Sequence, residues 1–195
     1  MKATYKNLFL LAVKLLLPSL LCLLLFRLLD IDIGYHILLF SLVIVSVNFD
    51  KVKYNYTITL FSSVALSYIA FFVSIGIYFG MGYILMQFVE LDKLEEIHFY
   101  GYTLKNFFLL LPISIYSPLL MFRFYRIIFE TKYNNFHKIV KWITIITLSI
   151  YYVIVKDSST EYSGTVWQFL MALALQLILN EKEIIKLFAS KKNSV

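Results

Sequence analysis

From Tyr56 to Val89 the chain passes without one charged side chain. As a helix rising 1.5 Å per residue, that stretch is roughly 50 Å long, against a bilayer hydrocarbon core of about 30 Å. It predicts a steeply tilted spanning helix, or one whose end projects from the bilayer. The rest of the 195-residue chain agrees: 61% of it is hydrophobic and only 15% charged, where a soluble domain carries about 25% charged residues. One globule cannot bury that much apolar surface, so lipid must cover part of it.

A membrane span needs about 20 mostly apolar residues. Candidates lie at 8–29, 35–49, 56–89, 107–121, 143–155 and 166–179. The expected fold is therefore all-α: a single polytopic transmembrane helical bundle of about six spans, or four or five if a pair merges or re-enters. A cleaved signal peptide is not expected, because the apolar run after Lys6 is too long and no A-x-A site follows. Cys22, the only cysteine, lies in LLCLLL and reads as a small buried hydrophobe.

Charge sets the orientation. Lys2 and Lys6 lie before the first span, and Lys51 and Lys53 follow the second. The stretch 122–142 carries Arg123, Arg126, Lys132, Lys138 and Lys141 against Glu130, and the tail 180–195 carries Lys182, Lys186, Lys191 and Lys192. The other three loops are net acidic. Lysine and arginine mark cytoplasmic segments, so both termini are expected inside. On this reading 122–142 is the main cytoplasmic loop. Its tyrosines and phenylalanines supply the aromatic belt. Arg123, Arg126, Lys132, Lys138, Lys141, Lys182 and Lys186 form a basic inner face for anionic lipid or a cytosolic partner.

Several residues invite a choice between packing and function. Lys14 falls within the first span, where its long stem can snorkel to the inner face or its charge can face a bundle interior. It has no ionisable partner in any other span, which argues against a transporter. Pro18 kinks the same helix, and Pro112 and Pro118 bend the fourth span, as bent helices or as a gate. Thr59, Ser63, Ser67, Ala70 and Ser74 form a narrow small-residue stripe on the third span, with Gly76 and Gly80 on another face. Such surfaces pack within a protomer or between subunits of a homo-oligomer. In the outer loop LDKLEEIHFYGYTLKN, Leu91, Leu94, Ile97 and Phe99 suggest an interfacial helix. Glu95 and His98 make a lone E-x-x-H pair without the second pair that a carboxylate metal site needs. His36 and His137 are isolated and read as interfacial polar residues. The tail EKEIIKLFASKKNSV fits a short amphipathic helix.

No catalytic, metal or cofactor site is expected. The spans hold no aspartate, glutamate or central histidine, so an intramembrane hydrolase lacks its nucleophile–base pair, its carboxylates and its H-E-x-x-H. A groove-reading motif for DNA is missing too. Two classes remain: a small signalling or scaffold subunit, and a small substrate-binding or channel-like transport component. The MKATYKN start, the RFYRIIFETKYNNFHK loop and the KKNSV tail resemble the small multi-pass membrane proteins of bacterial anti-phage islands, closest to the membrane subunit of the Kiwa defence system. The resemblance is one of layout across the whole chain. It implies a homo-oligomeric sensor in the bacterial inner membrane, working with a soluble effector that binds nucleic acid in its stead. Bacteriocin-immunity proteins share the layout.

Overall fold

A computed structural model describes residues 2–29, 33–88, 98–99, 102–131, 133–154 and 160–192. The chain is a bundle of α1 (Lys2–Leu29), α2 (Ile33–Val47), α3 (Tyr56–Phe88), α4 (Leu104–Ile128), α5 (Asn135–Ile154) and α6 (Thr160–Leu179), with a short α7 (Glu181–Lys192) after it. A single 3-10 turn at Phe49–Lys51 follows α2. Asparagines punctuate the helices at one end. Asn55 Oδ1 accepts the Thr57 amide at 2.9 Å and caps α3, and Asn134 Oδ1 accepts the His137 amide at 2.9 Å and caps α5. Asn48 Nδ2 donates to the Ile44 carbonyl at the end of α2, and Asn180 Nδ2 donates to the Gln176 carbonyl at the end of α6. Each side chain satisfies backbone groups that a helix terminus leaves without intrahelical partners.

Helices adjacent in sequence are adjacent in space, and α6 closes back on α1 to complete a ring. The interior is filled by large apolar side chains, among them Phe40, Ile44, Met121, Phe129, Leu148 and Met171. Phe40 ties the ring across its middle, meeting Tyr125 edge-on at 6.3 Å and Trp167 at 5.9 Å. The small stripe of α3 lets its neighbours approach closely. Ser41 Oγ on α2 donates to Ser67 Oγ at 2.9 Å, and Ser63 Oγ lies 3.0 Å from the Tyr125 hydroxyl on α4. Hydroxyl pairs of this kind contribute about 0.5–1.5 kcal/mol each.

The outside of the ring is strongly apolar. Leu16, Leu20 and Leu24 on α1, Phe61, Phe72 and Phe79 on α3, and Ile139, Ile143 and Ile146 on α5 are all exposed. Segments Asn7–Leu25 and Tyr56–Gln87 are long and apolar enough to cross a membrane, while Gly34–Val47 and Gly164–Leu179 are apolar but shorter.

Two expectations need correction. The segment 122–142 is mostly helix: α4 continues through Arg123 and Arg126 to Ile128, and α5 begins at Asn135, leaving only 129–134 as a link. Hydropathy marks the apolar part of a helix, whereas arginine and lysine are good helix formers and cations suit a helix C-terminus. In the outer loop, Phe99 is extended rather than helical: His98–Phe99 pairs antiparallel with Tyr102–Thr103 in a minimal hairpin. Leu91, Leu94, Glu95 and Ile97 lie outside the described residues.

Candidate docking surface

The basic segments converge. Val52 and Phe129 form an antiparallel bridge. Around it the Lys53 amide donates to the Ile128 carbonyl at 3.0 Å, and the Glu130 amide donates to the Lys51 carbonyl at 3.1 Å. Lys53 Nζ also donates to the Arg126 carbonyl at 2.9 Å, a cation on the exposed carbonyls that end α4. The start of α7 joins them. Lys51 Nζ reaches Asn180 Oδ1 at 2.5 Å, and Asn134 Nδ2 donates to Glu181 Oε1. One end of the ring thus gathers the 48–55 turn, the 129–134 link and the α6–α7 junction. Partial burial lowers the Lys51 pKa from its ordinary value. Lys14 adds to that lowering, while Asp50 and Glu183 oppose it.

Lys14 sits at this same end. Its Nζ bonds both carboxylate oxygens of Glu183, at 2.9 and 3.0 Å. The partner that Lys14 lacks among the spans comes instead from the first turn of α7, where an acidic side chain suits the helix dipole. Hydropathy could not find it, because the tail is polar and far away in sequence. Both side chains are about half exposed, so the pair contributes at most about 1 kcal/mol. Pro18 and Pro118 are buried and Pro112 half-buried, each inside a helix that continues past it.

The remaining predicted cations divide into two groups. Arg126, Lys138 and Lys141 surround the Tyr133 ring, with Arg126 Cζ 4.8 Å, Lys138 Nζ 5.6 Å and Lys141 Nζ 5.8 Å from its centroid. No carboxylate pairs with any of the three among the described residues. Arg123 on α4 and Lys182 and Lys186 on α7 are exposed; Lys132 lies outside the described residues. Beside the trio, His137 is only 2% exposed. Burial, then Arg126 and Lys141, push its pKa down. Sequence spacing gave no sign of this burial: His137 lies in a basic, polar stretch, and it is covered by Phe122 of α4 and the Tyr133 ring.

The small stripe is spent inside the chain. Thr59, Ser63, Ser67, Ala70 and Ser74 are all buried, and Ser63 and Ser67 bond partners on α4 and α2. It therefore offers no surface to a second copy. Gly76 and Gly80 differ: a methyl group added at either meets no atom within 4 Å. At 100° per residue they share the face of α3 that exposes Phe61, Phe72, Phe79 and Tyr83.

Among the described residues no cluster of three histidine, cysteine, aspartate or glutamate side chains is placed to hold a metal. No family model, curated protein or solved structure matches this chain.

Proposed function

We propose that this protein is a non-enzymatic, six-span subunit of a bacterial inner membrane, which homo-oligomerises and docks a cytosolic effector on its basic end. The observation that carries the reading is the convergence at that end. Three segments far apart in sequence are laced together there, with arginine and lysine side chains around Tyr133 that no carboxylate pairs among the described residues. An end so charged beneath an apolar ring matches a bundle standing in lipid with its positive loops in the cytoplasm. The apolar outer faces of α1, α3 and α5 support lipid contact along those helices. The open Gly76 and Gly80 face of α3 is the surface best suited to a second copy. The layout shared with anti-phage membrane subunits favours a sensor whose effector, rather than the subunit itself, handles nucleic acid.

The test is co-purification from native membranes. Reversing charge at Arg123, Arg126, Lys138 and Lys141 together is expected to reduce the recovered soluble partner at least about tenfold, since these cations supply steering and contact. Recovery at the unmodified level would move docking away from this end. Thermal stabilisation by a small solute, with no protein partner recovered, would favour the transport reading.

A further inference from the structure

Where the end of α4, the start of α5 and the second half of α6 meet, the surface dips into a cleft of about 10 Å³, room for one water-sized group. Phe122, Leu175 and Ile178 form its apolar floor; Arg126, Thr131 and His137 supply its polar lining. The polar atoms are unusual. Thr131 Oγ1 and both ring nitrogens of His137 are buried without a hydrogen-bond partner. Native proteins rarely leave buried polar groups so, and each such group asks for a ligand or solvent. The neutral ring, favoured by burial and by the neighbouring Arg126 and Lys141, still carries one N–H to donate. Thr131 carries an O–H.

The surrounding charge says what the ligand must be. Arg126, Lys138 and Lys141 crowd around Tyr133 without a carboxylate among the described residues, and they repel one another. The N-terminus of the 20-residue α5 adds the positive end of its dipole at the same place. Two buried donors in the lining and neighbouring cations suit a tetrahedral oxyanion.

We propose that this cleft binds a phosphate group: one oxygen enters and accepts from Thr131 Oγ and a His137 N–H, while the outer oxygens meet Arg126 and Lys141. These are charge-assisted contacts, the stronger class of hydrogen bond. Either a phosphate monoester in solution or the headgroup of an anionic phospholipid presents this chemistry. At 100° per residue the exposed Ile139, Trp142 and Ile143 fall on the side of α5 away from His137, and the two arms of the experiment separate the sources. The site goes beyond the proposed docking role, and its failure would leave the co-purification result untouched.

The experiment measures thermal unfolding of the purified full chain, each variant against its own baseline. In detergent, sodium phosphate is titrated against sodium chloride at matched ionic strength. In a second arm, nanodiscs of phosphatidylcholine are compared with nanodiscs to which phosphatidic acid is added. The expected result is stabilisation by phosphate, phosphatidic acid or both, beyond any effect of chloride. Arg126→Gln and Thr131→Val should need about tenfold more ligand, and His137→Phe should abolish the response even if it raises the baseline. A response in the nanodisc arm alone assigns the lipid; one in both arms assigns the phosphate group itself. Equal stabilisation by chloride, no response in either arm, or variants that respond like the unmodified chain would overturn the site.

Discussion

His137 stands at the residue scale for what a linear reading misses. The sequence surrounds it with lysines and polar side chains, yet the fold buries it against Phe122 and Tyr133, at ring separations of 6.3 and 5.2 Å. Its depressed pKa fixes a sign. The native state binds fewer protons there than the unfolded chain, whose histidine titrates near about 6.5. The stability this group allows is therefore complete above that pH and falls as the pH drops below it. In phosphate-free detergent, moving from pH 7.5 to 5.5 should lower the unfolding midpoint of the unmodified protein more than that of His137→Phe. Equal losses would show that the titration belongs elsewhere. The charged and titratable groups facing the ring are Arg126 from α4, Tyr133 from the link and Lys141 from α5. Lys14 teaches a parallel lesson: its counter-charge, Glu183, is too distant in sequence for local spacing to reveal.

Among the elements, α3 shows how much periodicity can tell. At 100° per residue the small stripe and the Gly76–Gly80 face separate cleanly, so two distinct contact faces are legible from residue spacing alone. Which face turns inward is not, because both are built of residues that lipid and protein neighbours accept equally. The answer lies in complementary groups on other helices, Ser41 and Tyr125. Leucine at Ser67 or Ala70 should overpack this seam and destabilise the monomer by about 1–3 kcal/mol. Leucine at Gly76, where nothing lies within 4 Å, should leave the monomer folded and disrupt assembly instead. Size-exclusion profiles in mild detergent, read with unfolding midpoints, separate the two outcomes; an intact oligomer in the Gly76 variant would remove that face as a subunit contact. Helix ends were less legible than helix cores. The extension of α4 through Arg123 and Arg126 follows from propensity and dipole, which hydropathy ignores, and the asparagine caps at 55 and 134 act through geometry.

At the scale of the whole molecule, the described residues form a ring with an apolar wall and a polar, cationic end where the 48–55, 129–134 and 180–183 segments meet. That asymmetry was legible from alternating loop charge, because the count of lysine and arginine between spans does not depend on where each helix ends. The ring closure of α6 on α1 was not, since nothing local to either segment records it. If the polar end faces the cytoplasm, a single cysteine at Asn134 should resist membrane-impermeant maleimide in intact cells and react after permeabilisation, and a cysteine at Thr160 should react from outside. The reverse pattern would invert the protein and remove the docking surface from the cytosol. The closure has a consequence for synthesis. Residues 160–183 leave the ribosome long after residues 2–29, so if α1 inserts into a bilayer as it is made, it does so with its main neighbour and the counter-charge of Lys14 still untranslated. Until they arrive it stands as a provisional anchor, and a message cut short before α6 yields a product with an open flank, the kind of unfinished surface that membrane proteases survey.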